Sequence, residues 1–305
     1  MKKHTFDQVV CPLCKGRLHA DAERKILECK SCEVEYRVDE GIPIFINDAV
    51  FEKYNTELKL QDLDEEQSFY EDMYSDLNGL DDGHCVVSGY DELYEFMSSV
   101  ERGTLLDVGC GAGHHSKDLS KLGFDVTGID ISMNGLKQAR QVNAAARQDA
   151  DFLLADIENL PFKNNSFDVV FCGLILHHFP RRDRLIRELN RVCRRHFIAF
   201  EVNAYDPVSY FRFDIVNPII GVPHITKNQR TVSPFRLAKQ LSAMSFDNIS
   251  FEFLDVHHYL GRYPHSLKAK ILKTIKQTTN VLPVQYRNNK FMLKASRNQV
   301  AENRL

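Results

Sequence analysis

The sequence predicts an α/β protein, a mostly parallel sheet covered by helices and preceded by a small module built on four cysteines. Three observations predict it. Two Cys-x-x-Cys pairs open the chain, Cys11 with Cys14 and Cys29 with Cys32. Beyond Glu101, short β-branched and aromatic runs alternate with helical stretches, the rhythm of strands buried on both faces. A glycine-rich turn from Gly109 to Gly113 lies where the first run meets its helix, and the next two strands end in Asp130 and Asp156.

In chain order, residues 1–48 read as one unit: the cysteine pairs, strand-like ILEC and VEYRV, then DEGIPIFIND. Residues 49–83 turn acidic (DLDEEQ, YEDMYSD, LDDG) and read as a linker with one or two helical turns. Tyr90, Leu93, Phe96 and Met97 recur at helical spacing, which predicts an amphipathic helix at the head of a domain over 84–305. Within it TLLDVGC is a buried strand, HSKDLSKLG a helix closed by Gly123, DVTGID a second strand and SMNGLKQARQVNAAARQ a helix capped by Ser132. ADFLLAD and FDVVFCGLIL follow as strands, RDRLIRELNRVC as a helix and HFIAFEV as the fifth strand. SPFRLAKQLSAM, NISFEFLDV, SLKAKILKTIKQTTNVL and KFMLKAS read as helix, strand, helix and strand.

Composition narrows the function classes. The 305 residues suffice for one α/β domain and a small module, and 43% hydrophobic with 27% charged residues is ordinary for a globular chain. A net charge of -3 gives no basic surplus for broad capture of nucleic acid. No apolar run approaches the roughly 18–20 residues of a membrane span, and MKKHTFDQVVCPLC lacks the apolar core of a signal peptide. A cytoplasmic chain is therefore expected, and there clustered thiols point to metal.

The glycine turn, LLDVGCGAGHHS, places Asp107, Gly109, Cys110, Gly111 and Gly113 at a strand–helix junction. Glycines there let the backbone approach a ligand, and the helix start offers free N–H groups. Asp130, 17 positions past Gly113 and followed by Ile131, is placed to take the hydroxyls of a ribose. Asp156, followed by Ile157, is placed to accept from an adenine amino group. GCGAG is not the GxGxxG of pyrophosphate binding, so a ligand with adenosine and no diphosphate fits.

LLDVGCGAG, GIDIS, ADIENLPFKNNSFDVVFCGLILHHF and EVN together resemble class I S-adenosylmethionine-dependent methyltransferases over about residues 101–204. The resemblance implies a Rossmann-like seven-stranded sheet of order 3-2-1-4-5-7-6. It also implies Asp107 and the Gly109–Gly113 backbone at the methionine end, Asp130 at the ribose, Asp156 and Ile157 at the adenine, and Gly173 and Leu174 on the sulfonium side. Phe246 stands where relatives often have glycine, a departure at a turn.

Cys11-x2-Cys14 and Cys29-x2-Cys32, with fourteen residues between the pairs, supply four thiolates for a closed tetrahedral zinc site. A module this small has little core, and a metal is a common remedy. CPLCKGRL, CKSCEVEYRV and DEGIPIFI resemble the small zinc-ribbon proteins that activate tRNA and protein methyltransferases as separate subunits. A family of 23S rRNA guanine methyltransferases shares the layout, although the near-neutral module departs from what rRNA binding favours.

His177 and His178 follow the fourth strand and are candidate general bases toward an acceptor. Capping or packing at the strand end is the alternative, and the sequence leaves both open. His114 and His115 read as local packing or surface residues. The arginine series Arg181, Arg182, Arg184, Arg187, Arg191, Arg194 and Arg195 reads as a solvated helix face or a site for an acidic acceptor or RNA. Glu201 and Asn203 end the fifth strand and are candidate acceptor contacts. Tyr70, Tyr74 and Tyr90 are candidates to close the pocket. No NPPY or DPPY follows the fourth strand and no Pro-Cys occurs, which disfavours base-amino and cytosine C5 chemistry. The expected function is methyl transfer from S-adenosylmethionine to a small or medium-sized organic acceptor. Two other readings stand beside it: RNA methylation guided by the zinc module, and a non-catalytic cofactor sensor that holds a protein partner through that module.

Overall fold

The computed structural model describes residues 1–46, 66–72, 90–220, 226–254, 283–286 and 288–297. Strands β1 (His19–Asp21), β2 (Ile26–Cys29), β3 (Val34–Asp39) and β4 (Ile42–Pro43) form an antiparallel sheet in that order. β5 (Thr104–Val108), β6 (Asp125–Asp130), β7 (Asp151–Leu154), β8 (Phe167–Gly173), β9 (Cys193–Val202), β10 (Asn248–Leu254) and β11 (Lys290–Ser296) form a seven-stranded sheet of order β10-β11-β9-β8-β5-β6-β7. Counted from β5 as the first strand, this is the expected 3-2-1-4-5-7-6 seen from the other edge. β5 runs parallel to β6 and β8, and β6 to β7, while β10 and β11 are antiparallel.

The described residues fall into two compact units. One takes those of Met1–Leu77, Glu101–Gly173 and Arg182–Phe197, the other those of Asn78–Val100, Leu174–Arg181 and Ile198–Leu305. In the first, β5 and β8 are covered on both faces: Leu105, Leu106, Val108, Val169, Val170 and Phe171 are fully buried. Helix Met133–Ala145 starts at Ser132, whose Oγ accepts from the Gly135 N–H. Helix Asp183–Val192 buries Leu185, Ile186, Leu189 and Val192, one stripe at helical spacing.

The cysteine-bearing segment is built into this first unit. β7 is an edge strand, and the chain just past β4 adds to it: Ile44 bridges Leu154 in parallel, and the Phe45 N–H donates to the Leu154 carbonyl at 2.7 Å. Val9 bridges Phe162, and the Val10 N–H donates to the Pro161 carbonyl. Ile42 is buried with Cys110, Leu136, Ala139, Phe152 and Leu154. Ion pairs ring this contact, Lys2 with Asp125 at 2.7 Å and Lys15 with Glu188 at 3.3 Å.

The second unit carries helix Tyr90–Ser98, the β10–β11 pair and helix Pro234–Ser242, which starts with Ser233 as cap and Pro234 in the first turn. Phe246 is buried under the Arg297 guanidinium, 4.4 Å from the ring centroid.

Several elements differ from the sequence reading. β8 stops at Gly173 instead of continuing to Leu176, because Leu174 turns the chain in the left-handed region (φ 59) and a 3-10 turn, Leu176–His178, follows. β9 starts at Cys193, directly after its helix. Helix Lys3–Gln8 and the helical run Pro207–Ile220 had no sequence forecast. In the latter, Asp206 and Pro207 are start signals, but Phe211, Ile219 and Ile220 lie exposed, so the apolar residues trace no single face. Residues 66–72 of the acidic stretch are helical. The helix read over SLKAKILKTIKQTTNVL lies outside the described residues, as do Tyr74 and Cys85.

Phe45 joins the two sheets, buried to 2% exposure with its ring 5.1 Å from that of Tyr36. Phe45→Ala is expected to cost about 3–5 kcal/mol in denaturant unfolding and to shift the transition of the first unit as a whole. A change confined to a small separate transition of residues 1–46 would contradict this.

Candidate functional site

The four cysteines converge. Each Cys-x-x-Cys loop ends in a left-handed residue, Lys15 (φ 58) after Cys14 and Glu33 (φ 55) after Cys32, so the two loops are alike. The Lys15 N–H donates to the Cys11 carbonyl at 2.7 Å, the Gly16 N–H to Cys14 Sγ at 3.3 Å and the Cys32 N–H to the Cys29 carbonyl at 3.3 Å. All four Sγ atoms lie within 4.8 Å of one another, with Cys14 and Cys29 3.6 Å apart. Zinc–sulfur bonds of about 2.3 Å in a tetrahedron set sulfur–sulfur edges of about 3.8 Å. The donor set fits such an ion. Tyr36 Oη lies 3.2 Å from Cys11 Sγ and fixes that thiol from the β3 side.

The glycine turn lies in the same unit. Gly109, Gly111 and Gly113 have φ of 68, 50 and 73. Gly113 is also a close approach, since a Cβ there would stand 2.6 Å from that of Ala139. The turn is tied to β6: the Gly109 and Cys110 N–H groups donate to the Ile129 carbonyl, and the Gly111 N–H to Asp130 Oδ2 at 2.8 Å. Asp130 Oδ1 accepts from the Ser132 N–H at 2.9 Å. The carboxylate is thus aimed by two backbone donors, one on each oxygen. Asp107 Oδ2 accepts from Ser116 Oγ at 2.6 Å. Burial pushes the Asp107 carboxyl up to about 7, with the Ser116 hydrogen bond opposing and the Asp130 charge adding. Asp156 Oδ1 accepts from the Glu158 N–H at 2.8 Å, and Ile157 beside it is buried. A Cβ on Gly173 would meet the Phe171 ring at 2.8 Å and the His115 ring at 3.2 Å. His115 packs edge-on to Phe171, and burial lowers its pKa to about 4.

Two residues absent from the sequence candidates act on this region. Gln67 Nε2 donates to the Ile131 carbonyl at 3.0 Å, and the Glu71 carboxylate accepts from the Met133 N–H at 2.6 Å and the Asn134 N–H at 3.0 Å. Glu71 thereby caps the helix that follows Asp130, where a negative charge is favoured.

The second unit holds His177 and His178, with rings 4.2 Å apart. His177 Nδ1 lies 2.9 Å from Glu201 Oε2, while Glu201 Oε1 accepts from the Ile175 N–H at 2.7 Å and the Leu176 N–H at 2.5 Å. Burial opposes the Glu201 charge, but His177, the Leu176 N–H and Lys290 outweigh it and hold the carboxyl below its ordinary range. A carboxylate only accepts, so Nδ1 carries the proton and Nε2 is the acceptor. Burial, with the charges of His178 and Lys290, outweighs Glu201 and lowers His177 to about 4.

Other candidates are spent on structure. Asn203 Nδ2 donates to the Gln285 and Asn288 carbonyls at 2.7 Å each, and its Oδ1 accepts from the Tyr205 N–H. Arg191 binds Glu188 and the Leu160 and Phe162 carbonyls, Arg194 binds Asp168, and Arg195 binds Glu101.

The strand order and the glycine turn beside Asp130 define a Rossmann-like domain whose sheet has the 3-2-1-4-5-7-6 arrangement. Residues 106–198 match the family model described as methyltransferase domain, and residues 2–41 match that described as Trm112p-like protein. Methyltransferase GfsG of Streptomyces halstedii is 37% identical over 107 residues, 34% of this chain and 38% of that protein. A malonyl-[acyl-carrier protein] O-methyltransferase of Legionella pneumophila is 37% identical over 90 residues, 29% of this chain and 31% of that one. The aligned part thus spans well under half of these curated relatives. Among solved structures, magnesium protoporphyrin IX methyltransferase from Synechocystis superposes with a TM-score of 0.49 at 18% identity, over 68% of this chain and 81% of that one. No helix of the described residues is long and apolar enough to cross a membrane.

Asn203→Ala would leave two carbonyls without their donor and is expected to cost about 2–4 kcal/mol in chemical denaturation. A loss below about 0.5 kcal/mol would remove Asn203 from the structural role.

Proposed function

We propose that this chain is an S-adenosylmethionine-dependent methyltransferase acting on a small or medium-sized organic acceptor, with zinc held by Cys11, Cys14, Cys29 and Cys32 as a structural ion. The observation that carries the reading is the Asp130 carboxylate, aimed from the end of β6 by the Gly111 and Ser132 N–H groups beside a glycine turn. Two hydroxyls on adjacent carbons match two carboxylate oxygens, as on a ribose. Asp156 and Ile157 would hold the adenine, Asp107 and the Gly109–Gly113 backbone with Cys110 the methionine end, and Ile131, Gly173 and Leu174 would line the remaining length. S-adenosylmethionine supplies a methyl group on a sulfonium that is its own leaving group. The chain's residues then bind, align and exclude water. His177, with Nδ1–H held by Glu201, serves as proton acceptor through Nε2, and His178 flanks it. A closed four-thiolate zinc site has no open position, so the ion would stabilise the module and through it the edge of β7. The malonyl-[acyl-carrier protein] O-methyltransferase relative, named for an organic acyl acceptor, supports an organic acceptor over RNA. RNA guidance loses support where Arg191, Arg194 and Arg195 are engaged in ion pairs within the chain. A cytoplasmic location fits this reading.

Asp130→Ala is expected to raise the dissociation constant for labelled S-adenosylmethionine at least 100-fold, about 2.7 kcal/mol, in equilibrium dialysis, with the melting temperature within a few degrees. Unchanged affinity would remove the ribose assignment. Cys14→Ser is expected to lower bound zinc, read by atomic emission, together with thermal stability.

Asp107 gives a pH test. Its proton stays on up to about pH 7, and the cofactor's ammonium favours the ionised carboxylate. Affinity should therefore weaken as pH falls below about 7, and Asp107→Asn should flatten that dependence. An identical pH profile in the variant would exclude Asp107 from the cofactor.

A further inference from the structure

The helical run Pro207–Ile220 divides its apolar residues between two sides. Phe213 and Val216 are half-buried. Val208, Phe211, Ile215 and Ile219 recur at intervals of three and four residues and are exposed, Phe211 to 61% and Ile219 to 76%. Polar groups hold the run on its inner side. Asp206 caps it by accepting from the Ser209 N–H at 2.8 Å, and Asp214 Oδ2 accepts from Thr231 Oγ1 at 2.6 Å and from the Thr231 N–H at 3.1 Å. The buried Asn217 donates to the Thr226 carbonyl at 2.7 Å. A helix seated on its own domain normally turns its apolar stripe inward. Here polar side chains do the seating, and an apolar stripe is left to the outside.

The exposed apolar surface continues past the run. Tyr205, directly before its cap, stands edge-on to Phe235 at 5.3 Å between ring centroids and to Tyr286 at 6.1 Å, and Phe235 meets Phe251 at 5.0 Å. Phe235 and Tyr286 are themselves exposed. Among the described residues, every exposed large hydrophobic side chain except Met1 lies between Val208 and Tyr286, within the second unit. Charge is divided between the two faces of the β10–β11 pair. Phe251 and Phe253 point to the face on which Phe235 and its helix Pro234–Ser242 lie, and that helix exposes Arg236 and Lys239. Glu252 and Lys294 point to the other face. There the Lys294 ammonium lies 5.6 Å from the Phe96 ring of helix Tyr90–Ser98, which exposes Glu92 and Glu95. Arg212, beside Phe211, and Lys227 are exposed as well. Residues 206–242 thus carry five basic side chains against two acidic ones, in a chain whose net charge is -3. Both acidic ones, Asp206 and Asp214, are the groups that hold the run.

We propose that this side of the second unit, the exposed stripe of Pro207–Ile220 with the Phe235 cluster, rests on a membrane surface that carries anionic lipid head groups. Apolar and aromatic side chains enter the boundary between head groups and acyl chains, and the cations beside them pair with lipid phosphates. The contact is peripheral, since no helix of the described residues is long and apolar enough to span. Charge selects this occupant. Two copies of the chain joined through the same face would set one cationic rim against another. An anionic surface instead neutralises Arg212, Arg236 and Lys239 while it covers the apolar stripe. The contact requires no cofactor, so it holds or fails apart from the methyl transfer proposed above.

The test is flotation of the full chain with vesicles of phosphatidylcholine alone and of phosphatidylcholine mixed with phosphatidylglycerol. The expected result is saturable binding to the mixed vesicles, about tenfold or more tighter than to phosphatidylcholine, and weakening as salt rises. Phe211→Ser combined with Ile219→Ser should weaken that binding about tenfold or more. The melting temperature should stay within a few degrees, because both side chains are exposed in the free chain. Arg236→Gln combined with Lys239→Gln should remove most of the preference for phosphatidylglycerol. Glu252→Gln, on the other face of the sheet, should leave binding within about twofold. Light scattering without vesicles should give the same mass for the wild type and the Phe211→Ser, Ile219→Ser chain. No binding to mixed vesicles, equal binding to both compositions, or wild-type binding by that doubly substituted chain would overturn the proposal. A wild-type dimer that the same two substitutions dissociate would assign the face to a second copy and overturn it as well.

Discussion

An edge strand of a parallel sheet presents unpaired N–H and C=O groups, and β7 is such a strand. Much of the first unit follows from how that edge is closed. Ile44 and Phe45 continue the hydrogen bonding beyond Leu154, and Ile42 fills the space under the strand with Cys110, Leu136 and Phe152. Cys110 is the second residue of the glycine turn, and Leu136 lies in the helix that starts just past Asp130. The cysteine module therefore packs from beneath on the elements that aim the candidate cofactor contacts. Stability supplied by four thiolates on an ion would be transmitted to that turn through packed side chains.

The polar design around Asp130 follows the same economy. Its carboxylate is aimed by backbone N–H groups, which do not change rotamer, and the following helix is capped twice, by Ser132 and by Glu71. Asp107 lies buried nearby, and its charge and that of Asp130 disfavour one another. A bound cation would relieve that repulsion, which is a physical reason for a positively charged ligand to seat there. In the second unit, Glu201 performs two tasks with two oxygens, one closing the Leu176–His178 turn and one fixing the His177 tautomer.

The sequence made some of this legible because some signals are local. Cysteine spacing, the glycine turn and an acidic residue at a strand end are each set by a few consecutive residues, and the burial of β5 and β8 appears as mostly apolar runs broken by one aspartate each, Asp107 and Asp168. The rest needed contacts between distant residues. Glu71 looked like one more charge in an acidic stretch, although it meets a helix start 62 positions away. Glu201 and His177 are 24 positions apart. Pro207–Ile220 hid because its apolar residues do not share one buried face, so periodicity had nothing to register. The arginine series was ambiguous for a similar reason: Arg191, Arg194 and Arg195 look like free charge until their partners Glu188, Asp168 and Glu101 are known.

The most direct test of the central claim is native mass spectrometry of the folded full chain with S-adenosylhomocysteine added. The expected spectrum shows a complex heavier than the polypeptide by one zinc ion and one S-adenosylhomocysteine, with the ligand increment lost in Asp130→Ala and the zinc retained. A folded, zinc-loaded chain that never carries the ligand would contradict the cofactor assignment, and a ligand-bound chain without metal would contradict the role given to the four cysteines.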